Sequence, residues 1–323
     1  MRVGRTVLIS LLGTVALLLA VLAGWVVWER SRNPLHVLRR PPGDVQIASD
    51  SAYEVLTKSG ERRTFRDLIF TTERIGTIRV TISSPLAGTS MRLPLVIVLG
   101  GLRTGRESLA FIHTHGSNVL VGFEYPYDQD RLNRESKVAQ LSAIRRAILD
   151  VPAQVILITD HLATMPWVES GRTALLGYSF GAMFVPATQR LAEDGEIPFD
   201  ALILAFAGTD IRALIEASLR VEPALLRRVI AWIAATALHA MEPAMHLPHL
   251  SGKFLVIRGD QDARIPTALS DRLAALTPEP KEVVTLEAGH MDPRDPELTA
   301  RVVRISQDWL VRQRLIDLPE PQR

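Results

Sequence analysis

The chain has 323 residues, 47% of them hydrophobic, and a formal net charge of +2. That is enough to bury the core of one large α/β domain or two smaller ones, and it excludes wholesale disorder. Cysteine is absent, which excludes disulfides, thiolate metal sites and a cysteine nucleophile. Nearly all of the 37 basic residues are arginine, spread along the chain without basic blocks interleaved with aromatics. Nucleic acid is therefore not an expected partner.

Val7 to Trp28 carries no charge. As a helix it is about 33 Å long, enough to cross a hydrocarbon core of about 30 Å. Trp25 and Trp28 stand at one end, where interfacial aromatics belong. The expectation is an uncleaved N-terminal membrane anchor over residues 1–32. The alternative is a cleaved signal peptide with Val21-Leu22-Ala23 as its site, but the apolar run is longer than an ordinary signal core and continues past that site. Arg2 and Arg5 flank one side, and Arg30, Arg32, Arg39 and Arg40 the other, so charge leaves the side of the remaining chain open.

Residues 33–50, with Pro34, Pro41 and Pro42, read as a linker. Ala52–Thr57, Phe65–Thr72 and Thr77–Ser83 are rich in β-branched residues and suit antiparallel strands entering a mixed sheet. From Leu93 the pattern changes. Leu93–Leu99, Asn118–Phe123, Arg172–Leu176, Ala201–Phe206, Lys253–Arg258 and Glu282–Glu287 read as strands. The first of them is almost wholly apolar, as expected of a strand covered on both faces. Helical spacing falls at Ser136–Leu149, at a second helix opened by Pro152 and reaching about Ala163, at Pro266–Leu276 and at Glu297–Arg314. The alternation predicts a mostly parallel sheet with helices on both faces and antiparallel N-terminal strands. An insertion over 209–251 repeats Leu226, Val229, Ile230, Ile233, Ala237 and Met241 at helical spacing, a lid over an apolar pocket or simply packed helix. The expected domain runs over 51–316, with a tail at 317–323 that frays over Pro319–Arg323.

Gly177-Tyr178-Ser179-Phe180-Gly181 lies between an apolar strand and a helix start. In that setting G-x-S-x-G is a sharp turn that presents a serine hydroxyl above the sheet, the two glycines letting strand and helix approach. A serine hydroxyl needs a base, and the base a carboxylate to hold its tautomer. Among eight histidines, His290 follows the last strand through Ala288-Gly289. Asp262 follows the strand before it. Both positions are at strand C-termini, where open α/β sheets gather their ligands. Asp260 and Asp210 compete for the acid's place, and a helix-capping role competes for Asp262. His113 and His115 read as solvated loop residues or pocket lining. His246 and His249 lie close together but lack the further ligands of a metal site.

The order Ser179, Asp262, His290, with Gly259-Asp260-Gln261-Asp262-Ala263-Arg264-Ile265-Pro266 and Gly289-His290-Met291-Asp292, resembles the α/β-hydrolase superfamily over about residues 53–314. Within it the chain is similar to the serine esterases and peptidases of the dienelactone-hydrolase and prolyl-oligopeptidase-like branches. The resemblance implies a Ser179–His290–Asp262 triad and an oxyanion hole from the backbone amides of Phe180 and Leu102. It implies an acyl-enzyme on an ester-like substrate and no cofactor or metal. Two departures stand out: Leu99-Gly100 replaces the His-Gly of many relatives, and Pro186 lies early in the helix after Ser179. The same triad would serve a thioesterase, an acyltransferase or a peptidase. A catalytically silent, anchored interaction domain is the reading from another class. The expected partners are a small acyl substrate and the membrane.

Overall fold

A computed structural model describes residues 2–38, 43–86, 91–126 and 137–319, with side chains from Ser10 onward and none for 137–139. Arg39 to Pro42 of the expected linker, Ser136 at an expected helix start and the end of the expected tail lie outside the described residues.

Among the described residues nine strands form one sheet in the order β1-β2-β3-β5-β4-β6-β7-β8-β9. They are β1 (Val45–Leu56), β2 (Arg62–Thr72), β3 (Gly76–Pro85), β4 (Leu93–Leu99), β5 (Val119–Glu124), β6 (Val168–Tyr178), β7 (Ala201–Ala205), β8 (Lys253–Gly259) and β9 (Lys281–Leu286). β1, β2, β3 and β5 pair antiparallel, and every pairing from β5 to β9 is parallel. The expected mixed sheet is therefore present, with its antiparallel strands at the N-terminal edge.

All seven residues of β4 are buried, and the two-residue period of a strand divides them between two cores. Leu95, Ile97 and Leu99 face one layer with Leu149, Val155, Ile158 and Val185. Val96 and Val98 face the other with Val302, Trp309 and Leu310. The first layer is carried by helices α3 (Lys137–Ala163) and α4 (Val185–Asp194), the second by α9 (Pro296–Arg312). Each fully buried aliphatic side chain here contributes about 1.5–3 kcal/mol relative to an exposed one.

Three expectations need correction. First, the linker is structured: Pro34–Leu38 is a short helix, α2, and β1 begins at Val45. Val37 and Leu38 are buried in the first core, and that burial orders the segment. Second, Pro152 starts no new helix but lies inside α3. It removes one backbone donor, yet Leu149, Val151, Val155 and Ile158 around it are buried, and this packing holds the helix together. Third, Asp317 belongs to the fold rather than to the tail. Its backbone carbonyl accepts from Ser117 N and Asn118 Nδ2, and its amide donates to Asn118 Oδ1.

The expected insertion is helical. It comprises α5 (Ile211–Ser218), α6 (Ala224–Ala237) and α7 (Pro243–His246), with single turns between and after them, and α8 (Thr267–Leu276) follows β8. Glu242 caps the entry to α5 by accepting from the Asp210 and Ile211 amides. At the N-terminus α1 (Arg2–Ser31) is one continuous helix, within which Ser10–Ser31 is long and apolar enough to cross a membrane.

Candidate active site

β6 ends at Tyr178, and Ser179 follows with φ of 53°. A non-glycine residue in the left-handed region costs about 1–3 kcal/mol, so the surrounding packing must hold it there. The two motif glycines show how. A Cβ on Gly177 would come within 2.5 Å of Ala182 Cα, and one on Gly181 within 2.0 Å of the Leu99 carbonyl oxygen. Any side chain at either place would drive the turn off the sheet. The turn continues as a 3-10 segment, Ser179–Met183, and the α-helix proper starts only at Val185. Pro186 sits in the first turn of α4, where a missing N–H costs nothing, so it starts this helix rather than kinking it.

His290 reaches the elbow from the loop after β9. Its Nε2 lies 2.6 Å from Ser179 Oγ, and its Nδ1 2.7 Å from Asp262 Oδ2. The imidazole and carboxylate side chains are only 8% and 3% exposed. The other Asp262 oxygen accepts from the Arg264 and Ile265 amides at 2.8 and 2.9 Å. Asp262 thus holds its own loop with one oxygen and the imidazole with the other, and the capping and orienting roles coexist in one side chain. With the Nδ1 proton donated to Asp262, Nε2 is an acceptor facing the serine hydroxyl, the arrangement that lets an imidazole take a proton from a nucleophile.

The competing carboxylates are occupied elsewhere. Asp210 accepts from Ala213 N at the start of α5, and Asp260 from the Ala288 amide. His113 is exposed. His115 is neither solvated nor pocket lining but buried: Ser83 Oγ lies 2.7 Å from its Nδ1, and its Nε2 is 2.9 Å from the Ile112 carbonyl. Burial and the nearby Arg63 guanidinium push its pKa down to about 4. His246 is also buried, donates to the Ala240 carbonyl, and is pushed down to about 4 chiefly by burial.

Phe180 follows the serine directly, and Leu102 lies in the loop after β4. The Leu99–Gly100 backbone abuts Gly181, which brings the loop carrying Leu102 against the turn carrying Phe180. Two residues here escaped the sequence reading. Tyr125, buried just beyond β5, donates its hydroxyl to the Gly100 carbonyl at 2.5 Å, and its ring packs on Phe180 and Phe184. Phe206, just beyond β7 with φ of 55°, meets the His290 ring edge-on at 5.8 Å between centroids. Its place at the C-terminal end of a parallel strand was the available signal.

A parallel sheet with antiparallel entry strands and a serine elbow at its C-terminal edge defines a serine hydrolase of the α/β-hydrolase fold. The chain belongs to the prolyl oligopeptidase family, whose model matches residues 149–313, a span that contains Ser179, Asp262 and His290. No curated protein matches the sequence. Among solved structures, acetyl xylan esterase 1 from Thermoanaerobacterium sp. JW/SL YS485 is similar at a TM-score of 0.61 and 15% identity, over 86% of this chain and 90% of that one. The acetyl xylan esterase from Paenibacillus sp. R4 gives 0.60 and 14%, over 87% and 94%. One of two prolyl endopeptidases gives 0.55 and 13%, over 84% of this chain but 46% of that one. At such identities the likeness is one of fold.

Proposed function

We propose that this protein is a membrane-anchored serine hydrolase that cleaves a carboxylic ester through an acyl-enzyme. The observation that carries the reading is the continuous hydrogen-bonded chain from Ser179 Oγ through His290 to Asp262. Ser179 Oγ attacks the ester carbonyl while His290 Nε2 takes its proton. The Phe180 and Leu102 amides hold the tetrahedral oxyanion, and one such donor lowers the barrier by about 2.7–4 kcal/mol. His290 then passes the proton to the departing alkoxide, leaving the acyl group on Ser179. Water, deprotonated by His290, releases the acid. Residues 1–32 anchor the domain in a bilayer by α1.

Length favours an ester over a peptide: the fold spans nearly the whole of two esterase chains, but less than half of a prolyl endopeptidase. Peptide cleavage is the second reading, favoured by the family match itself.

Labelling with a fluorophosphonate tests the nucleophile. Wild type is expected to label and Ser179→Ala to remain silent; labelling in neither overturns the hydrolase reading. Rates on p-nitrophenyl acetate and on peptide p-nitroanilides then separate ester from peptide.

A further inference from the structure

Helix α6 turns a row of apolar side chains to the outside. Leu225, Leu226, Val229, Ile230 and Ile233 are 36–71% exposed. Their spacing makes one face of the helix, and leaving it in water forfeits burial worth about 25 cal/mol per Å². Single exposed apolar residues are ordinary, but a contiguous row is not.

What lies beside this row identifies its occupant. α6 packs against α1. The junction is fixed by Arg145 of α3, whose Nη2 binds Glu29 of α1 at 2.8 and 3.0 Å while its Nε donates to Ala237, the last residue of α6, at 2.9 Å. Glu29 is only 6% exposed. Along α1 the residues Leu22, Trp25 and Val26 are half-buried on the same face as Glu29, whereas Leu17 to Val21 stand free. The catalytic domain therefore climbs the last turns of the apolar helix.

Length then decides the level of the bilayer. From Val7 to Val21 the helix rises about 22 Å, short of a hydrocarbon core of about 30 Å. The charged Arg5 closes the far side, so the missing length has to come from the near side, at the level of Leu22 to Val26. That is the level at which α1 is half-buried against the domain, one turn from the Glu29 junction with α6.

The geometry points to α6 as an interfacial helix, its Leu225–Ile233 face seated among the headgroups and upper acyl chains of the bilayer that α1 crosses. This rests on the anchor reading above. The insertion leaves the sheet after β7, from the edge that carries Ser179 after β6, so the docked face also sets which edge of the sheet is held toward the lipid.

The absence of native cysteine makes the test direct. Single variants Leu225→Cys, Val229→Cys and Ile233→Cys on α6, Leu17→Cys on α1, and Val311→Cys on α9 carry an environment-sensitive nitrobenzoxadiazole label. Val311 is exposed on the opposite face of the sheet. The full chain is reconstituted into phosphatidylcholine–phosphatidylglycerol vesicles with a shallow doxyl-phosphatidylcholine quencher for α6 and Val311 and a deep one for Leu17, near the bilayer midplane, and circular dichroism checks each fold. All five positions are exposed, so none needs the core to adjust. The α6 probes are expected to be quenched, because a face seated about 5–10 Å deep in the interface lies at the shallow quencher's level, while Val311 stays bright. Quenching at Leu17 but not on α6 overturns the inference and leaves the anchor intact. No quenching at Leu17 overturns the anchor and the inference with it. Equal quenching at Val311 overturns the oriented docking.

Discussion

Asp262→Asn is the most discriminating single change. The Arg264 and Ile265 amides both point at one carboxylate oxygen of Asp262. In the variant the amide oxygen must stay on that side, because turning the NH₂ there would set donors against donors. The NH₂ group is then directed at His290 Nδ1, which in wild type is 2.7 Å from the other Asp262 oxygen. To receive that donor, Nδ1 must be unprotonated, and the ring proton moves to Nε2. Nε2 faces Ser179 Oγ at 2.6 Å, and once protonated it can no longer act as the base. The wrong tautomer at an equivalent triad costs about 10⁴-fold in kcat, or about 5.4 kcal/mol at about 1.36 kcal/mol per decade. The shape is unchanged and the loop bonds survive, so thermal stability should stay near wild type. The assay is initial-rate hydrolysis of p-nitrophenyl acetate at neutral pH, with Asp260→Asn as a companion expected to keep near-wild-type rates. If Asp262→Asn stays within tenfold of wild type, or Asp260→Asn falls as far, the assigned proton path is wrong.

Two further outcomes follow from neighbouring contacts. Tyr125→Phe keeps the ring packing on Phe180 and Phe184 but leaves the buried Gly100 carbonyl without its donor. Urea unfolding should show a loss of about 1–3 kcal/mol, and kcat should fall more than KM changes, because the freed peptide belongs to the loop proposed to supply an oxyanion donor. His115 makes stability depend on acid. Unfolded imidazole takes its proton near pH 6.5, whereas the folded site resists until about 4. Between those values the unfolded chain binds more protons, so stability is full above pH 6.5 and falls as pH drops toward 4. The stability lost over that window, read from urea midpoints, should be smaller in His115→Asn than in wild type.

The sheet core and the turn at Ser179 were legible because their signals are local. A strand buried on both faces must be apolar throughout, as Leu93–Leu99 is. A serine elbow must carry glycines where Cβ atoms would strike Ala182 and Leu99. What escaped the sequence depends on distant partners. Leu35-His36-Val37-Leu38 has no periodicity long enough to declare a helix, and only burial against the core orders it. Pro152 carries the local signal of a helix start, but the apolar residues on either side bury α3 as one piece. Arg63 is a charged residue in a strand that nonetheless lies buried, donating to the Gly116, Ser83 and Asn118 carbonyls. Nothing in its neighbours along the chain announces that. Tyr125 and Phe206 matter through contacts with Gly100 and His290, residues separated from them by many positions.

The bonds between Asn118 and Asp317 join residues 199 positions apart. They tie the start of a central strand to almost the last described turn of the polypeptide. During synthesis β5 must wait, its first loop unsealed, until Asp317 has emerged to bond Asn118. His290 and the helix that covers the second core are also made late. On the anchor reading proposed above, the first helix reaches the bilayer while the sheet is still open, and Ser179 meets His290 only once the loop after β9 has followed.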